Sequence, residues 1–290
     1  MVNPYEQDLS LALELADQAD RITAAHFAAG SAVTVKPDRS LVTAADLETE
    51  RTLAAVLADR RPHDAIAAEE LHGDQVGAGR CWVIDPIDHT NNFARGLSYY
   101  GTLIALLEDG QPVVGVVSAP SLRRRWWALR GGGAFADGRG IRVSAVDELS
   151  EAHLSFAELE VWNRRGLLGP LVELVSEARW TFGSGGFLAQ MAVAEGKLDV
   201  ALDPTGHVWD LAASQVIVQE AGGVFTDVHG RVDATRGTAV VTNGLLHEEV
   251  LSRLTGDRDA PGPAGGDRRP GRTGAGGHRR PPVQNPRASR

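Results

Sequence analysis

One cysteine, Cys81, stands in the 290 residues, so no internal disulfide can form, and such a chain fits a reducing, cytoplasmic setting. No apolar run reaches the 18 or more residues that a spanning helix needs. The first residues, Met1 to Asp8, lack the basic and apolar regions of a secretory signal. Lysine is nearly absent: Lys36 and Lys197 stand against 27 arginines, a bias expected of a GC-rich genome. Basic charge is scarce as well, except at one end. The formal net charge is −9, and the segment after Gly256 holds eight Arg against three Asp, which leaves the body near −14. An acidic body argues against nucleic acid as the main partner.

What is present is an ordinary globular composition, 43% hydrophobic and 23% charged. Residues 5–29 read as an amphipathic helix carrying Leu9, Leu11, Leu13, Leu15, Ala19 and Ile22. Val33 to Val42 reads as a hairpin turning at Pro37-Asp38-Arg39-Ser40, and Ala44 to Arg60 as a second helix. Strands are expected at Ile66–Glu69, Cys81–Asp85, Tyr99–Glu108 and Val113–Ser118, the last two split by Asp109-Gly110. Arg125–Leu129 and Gly140–Val143 extend the sheet, with glycine-rich turns at 131–133 and 138–140.

The second half alternates. Strands are expected at 154–157, 181–183, 198–202, 223–227 and 239–242. Helices are expected at 165–178, 188–195, 211–221 and 245–254, the third ended by Gly222-Gly223. This is a mixed α/β protein in two sheet-containing halves, 1–145 and 146–255. The Gly/Pro/Arg-rich segment 256–290 reads as a disordered basic tail. No internal repeat is visible.

One run concentrates the chemistry: Trp82-Val83-Ile84-Asp85-Pro86-Ile87-Asp88-His89-Thr90-Asn91-Asn92-Phe93. Val83-Ile84 drives a strand, which places Asp85 at its end, where α/β proteins bind ligands. Pro86 has no ladder donor and is expected to end the pairing. Asp85, Asp88 and the Ile87 carbonyl between them are hard oxygen donors suited to Mg²⁺. Thr90 reads as a helix N-cap, and the free amides of a helix start favour a phosphate.

Other acids have similar contexts. Glu69-Glu70 closes the strand from Ile66. Asp46 opens the second helix, and Asp210, in Trp209-Asp210-Leu211-Ala212-Ala213, opens a later one. Asp203 and His207 precede Asp210 as candidate pocket-lining residues. Each alone has a plain account as a turn acid, helix cap or structural histidine. Together they suggest one polynuclear metal site.

VTAAD (42–46), AEE (68–70), WVIDPIDHTNNF (82–93) and WDLAA (209–213) resemble the inositol monophosphatase family, over roughly residues 5–254. GVVSAPSLRRRWWALRGGGAF (115–135) is similar to its histidinol-phosphate phosphatase branch. The resemblance implies a layered α/β/α/β/α sandwich and Mg²⁺-dependent hydrolysis of a small phosphate monoester, with two or three ions and inhibition by Li⁺. It implies that Glu69, Asp85 and the Ile87 carbonyl hold one ion, and that Asp85, Asp88 and Asp210 hold a second. Glu69 shares a third, weaker ion. Thr90 paired with Asp46 orients the attacking water. Amides at His89 and Thr90 hold phosphate oxygens, and Ser184, Gly185, Gly186, Asp203 and His207 face the alcohol. It also implies a homo-oligomer, a dimer or larger.

Three residues depart from the family pattern, among them Asn91, which replaces the more usual Lys or Thr. The family usually has glycine where His89 stands, so histidine there incurs strain if the site needs positive φ, or else contacts substrate. The histidinol-phosphate branch often has an acid where Gly186 stands, and its loss removes a partner for a cationic amine. Recruitment to a cyclitol, aminosugar or nucleoside monophosphate is one alternative. A non-catalytic phosphate-ligand module is a second, and nucleic-acid binding by the tail is a third.

Overall fold

A computed structural model describes residues 3–73, 76–232 and 237–256. The expected tail lies outside the described residues from 257 onward. In chain order the first elements are helix α1 (Glu6–Ala29), the hairpin β1 (Val33–Val35) and β2 (Leu41–Thr43), helix α2 (Ala44–Arg60), β3 (Ala65–Ala68), β4 (Arg80–Asp88) and the short helix α3 (Thr90–Ala94). Strands β5 (Gly101–Glu108), β6 (Gln111–Ala119), β7 (Arg124–Leu129), β8 (Gly133–Ala136) and β9 (Arg139–Ile141) follow. Then come β10 (His153–Phe156), α4 (Leu159–Arg164), α5 (Leu168–Glu177), β11 (Trp180–Phe182), α6 (Gly186–Ala194), β12 (Val200–Asp203) and α7 (Val208–Glu220). Strands β13 (Val224–Thr226) and β14 (Ala239–Thr242) and helix α8 (His247–Thr255) close the order.

Strands β3 to β9 form a seven-stranded sheet in sequence order, and β11-β10-β12-β14-β13 form a five-stranded one. Side chains alternate across a strand, and that alternation sorts the core. Trp82 and Ile84 of β4 face α1 and α2, packing with Leu11, Leu15, Leu53 and Leu57. Cys81 and Val83, one residue out of phase, face the other side, with Phe187 and Met191 of α6 and Leu211, Val216 and Ile217 of α7. Ala201 of β12 and Val241 of β14 join that inner cluster. The outer face of the second sheet, Leu154, Val200 and Val240, is covered by Leu171 and Leu174 of α5 and Val250 and Leu254 of α8. The layers therefore run α/β/α/β/α, as expected. Helix α7 comes so close to β6 that a Cβ on Gly115 would lie 2.5 Å from the Ala213 carbonyl oxygen.

Four expectations change. Strand β4 does not stop at Asp85. It pairs Asp85 with Leu103 and then Asp88 with Gly101, so three steps on β4 match two on β5. Pro86 sits inside that bulge, its carbonyl accepting from Thr102 Oγ1 at 2.8 Å. Thr90 is not the N-cap of α3. That position belongs to His89, and Thr90 is the first helical residue. Strand β8 occupies residues between the two expected glycine turns, which are its hairpins. The expected helix 165–178 is α5, which starts later, at Leu168, and an unexpected short helix, α4, precedes it, separated by Gly166 with φ +74°.

Candidate active site

The β4 bulge is the first device of the site. In a regular strand, residues three apart point to opposite faces. One inserted residue brings Asp85 and Asp88 to the same side. Asp210 arrives from the first turn of α7, where its Oδ2 accepts the His207 backbone N–H at 2.6 Å. Asp85, Asp88 and Asp210 each offer an oxygen, and these oxygens lie within 4.8 Å of one another.

Three carboxylates so close do not share full charge without a cation. Burial, then the charges of Glu69, Asp88 and Asp210, raise the Asp85 carboxyl well above the usual range. Burial and then Asp88 push Asp210 up to about 8. Asp85 Oδ1 is buried with no hydrogen-bond partner. An orphaned carboxylate oxygen inside an all-oxygen donor set fits a hard divalent cation.

Glu69 stands at the end of β3, outside that tight group. Its Oε1 accepts from Lys36 Nζ at 3.0 Å, and Glu70 Oε1 accepts from the same ammonium at 2.9 Å. Burial opposes the Lys36 charge, but the two glutamates outweigh it and raise its pKa. Burial pushes Glu70 up to about 7 despite Lys36. Lys36 lies in the β1–β2 turn and is a site residue that local pattern does not reveal. Its only signal is that it is one of two lysines.

Asp46 is fixed by a capping box. Thr43 N and Oγ1 donate to its Oδ2 at 2.8 and 2.6 Å. Its other oxygen, Oδ1, is 3.5 Å from Thr90 Oγ1, which also donates to the Ile87 carbonyl at 3.0 Å. Burial pushes Asp46 up to about 6, against the Thr43 bonds that favour its charge. His89 adopts φ +66°, the left-handed region, so the suspected backbone strain is real.

The acids open onto a cleft of about 540 Å³, lined by Glu69, Asp88, His89, Asp203, His207 and Asp210 among others. Asp203 is buried and held by the Gly186 N–H at 2.9 Å and by Gln190 Nε2 at 2.8 Å. Burial raises its pKa, with those two bonds opposing. Gly185 must be glycine, since a Cβ there would lie 2.4 Å from Asp203 Oδ1. The His207 ring stacks on Trp209 at 4.7 Å. Ser184 does not line the cleft, and its carbonyl accepts from Ser155 Oγ. Gln190 and Glu158, both on the cleft wall, were not legible as site residues, because only tertiary folding brings them to Asp203 and the pocket.

Comparison with known proteins agrees with this arrangement. A model of the inositol monophosphatase family matches residues 5–257. A histidinol-phosphatase of Mycobacterium tuberculosis is 48% identical over 253 residues, 85% of this chain and 97% of that protein. One from Streptomyces coelicolor is 43% identical, covering 86% and 97%. The solved inositol monophosphatase of Thermotoga maritima superposes with a TM-score of 0.77 at 30% identity, over 86% of this chain and 97% of that one. That of Zymomonas mobilis gives 0.78 at 29%, over 88% and 100%. The chain belongs to the inositol monophosphatase family and is a phosphoric monoester hydrolase.

Proposed function

We propose that this protein is a Mg²⁺-dependent phosphomonoesterase of small polar alcohol phosphates, with histidinol phosphate the first candidate. The carrying observation is the gathering of Asp85, Asp88 and Asp210 around one point, with Asp85 Oδ1 unpartnered. The histidinol-phosphatase relatives, 48% and 43% identical, support the substrate.

Asp85, Asp88 and Asp210 would hold one ion, and Glu69 with Asp85 and the Ile87 carbonyl would hold another. Glu69 would also share a third, weaker ion. Mg²⁺ in this cluster supplies positive charge that offsets the phosphate dianion and acidifies the attacking water. The His89 and Thr90 amides, at a helix start without intrahelical acceptors, receive phosphate oxygens. Thr90 Oγ1 orients the water and relays a proton from it to Asp46, whose Oδ1 stands 3.5 Å away. The alcohol lies against Gly185, Gly186, Asp203 and His207.

A second reading, a hydroxyl-rich alcohol such as a cyclitol, aminosugar or nucleoside, is favoured by the His89 ring lying against Gly186. A homodimer fits the exposed Trp180 and Phe182, stacked at 5.8 Å on edge strand β11.

Phosphate release from a panel holding all these ester classes, with and without Mg²⁺, tests the reading. Release is expected only with Mg²⁺, fastest from histidinol phosphate, and reduced by Li⁺. No release from any ester in the panel would transfer the protein to the phosphate-binding-module class.

A further inference from the structure

Among the described residues, six other than glycine take positive φ. Arg39 does so between the cleft-lining residues Asp38 and Ser40, and His89 and Glu158 line the cleft themselves, while Asp109, Arg123 and Asp137 are not among its lining residues. A bulky residue kept in the left-handed region at a pocket wall points to work done by its side chain. The His89 ring reaches from the head of α3 to the head of α6. Its centroid is 5.7 Å from the Phe187 ring. Its Nε2 is 2.6 Å, and its Cε1 3.0 Å, from the point where a Cβ on Gly186 would stand. Its Nδ1 is buried with no hydrogen-bond partner.

A Cβ at 186 would meet this imidazole and, at 3.1 Å, Asp88 Oδ2, at a residue whose φ is +64°, so ring, carboxylate and backbone together keep residue 186 bare. We propose that His89 and Gly186 form one specificity-determining element, in which the imidazole replaces a side chain on α6 as the wall beside the ester. This rests on the phosphomonoesterase reading, which puts the phosphate on the His89 and Thr90 amides. His89 lines the cleft into which the alcohol would extend, so its ring stands beside the groups next to the ester. With Nδ1 buried, Nε2 is the ring nitrogen left to exchange one hydrogen bond, which matches a hydroxyl there. A carboxylate on residue 186, an acceptor only, would match an ammonium, and the ring forbids it. The element thus raises the rate for esters with a neighbouring hydroxyl relative to those with a neighbouring hydrocarbon.

Three matched probes separate these cases: glycerol 3-phosphate, histidinol phosphate and n-propyl phosphate. In His89→Gly, kcat/KM for glycerol 3-phosphate is expected to fall about tenfold relative to n-propyl phosphate, the size of one lost hydrogen bond. His89→Asn, which keeps a donor and an acceptor and tolerates positive φ, retains part of the preference. His89→Gly with Gly186→Asp shifts the glycerol 3-phosphate to histidinol phosphate ratio about tenfold toward histidinol phosphate. Thermal melts read the interlock without turnover. Gly186→Asp lowers Tm by about 3 °C more in the native background than beside His89→Gly.

If the native chain turns over no ester, the phosphatase reading fails. The same ratios are then taken from Kd by calorimetry, so the His89 test still reads out. Unchanged ratios in His89→Gly overturn the specificity role, and additive Tm losses overturn the interlock.

Discussion

Thr90 Oγ1 stands 3.5 Å from Asp46 Oδ1, at the outer edge of hydrogen-bond reach, while bonded to the Ile87 carbonyl at 3.0 Å. The proposed relay rests on this hydroxyl lying between a buried carboxylate and a backbone carbonyl. Thr90→Ala and Asp46→Asn are each expected to lower kcat by about 10²–10⁴, with Thr90→Ser keeping most of the rate. If steady-state kinetics show Thr90→Ala within a few-fold of native, the relay assignment fails.

The triad makes a separate claim about cations. Asp88→Asn and Asp210→Asn are each expected to remove most activity and weaken Mg²⁺ binding in calorimetry, with an unchanged far-ultraviolet dichroism spectrum. Near-native turnover in either variant contradicts the metal assignment.

Asp46 and Asp210 also set a pH dependence in metal-free protein. Their carboxyls rise from 3.8 to about 6 and about 8 on folding. The native state then holds protons that the unfolded chain has released. The stability this contributes is fully present below about pH 4 and is lost as pH rises through 6 and 8. The Tm of chelator-treated protein is expected to fall between about pH 5.5 and 8.5, and Mg²⁺ to restore it at the alkaline end. A flat or rising Tm in the chelated protein sinks this account of the cluster.

Gly115 carries a packing prediction. A Cβ there would meet the Ala213 carbonyl oxygen at 2.5 Å and Val216 Cγ1 at 2.6 Å. Gly115→Val forces α7 off β6 and is expected to cost about 1–3 kcal/mol. Because Asp210 rides on α7, the same variant is expected to weaken Mg²⁺ binding. Denaturant melts and Mg²⁺ titrations of one preparation check both, and native stability would show that the two layers are less tightly fitted than described.

Much of this protein is local and therefore readable in the chain. The 3.6-residue spacing from Leu11 to Ala19 and the alternation of Cys81, Trp82, Val83 and Ile84 encode helix and strand directly. Asp85, Asp88, Asp46 and Asp210 announce themselves because each follows an apolar run at an element end. The bulge at Pro86 was misread as a strand end, since no one-dimensional pattern tells a strand that stops from one that gains a residue and continues. Strand β8 and helix α4 were lost for a related reason: they are four and six residues long, too short for a period to show.

What only the tertiary structure decided are the long-range pairings: Lys36 on Glu69, Gln190 on Asp203, and the His89 ring against Gly186. Side-chain chemistry and local spacing settled which groups were present and how each element would form. Which groups touch depended on how two sheets stack about α6 and α7, because contacts between residues tens to a hundred positions apart are fixed by packing and not by sequence neighbours.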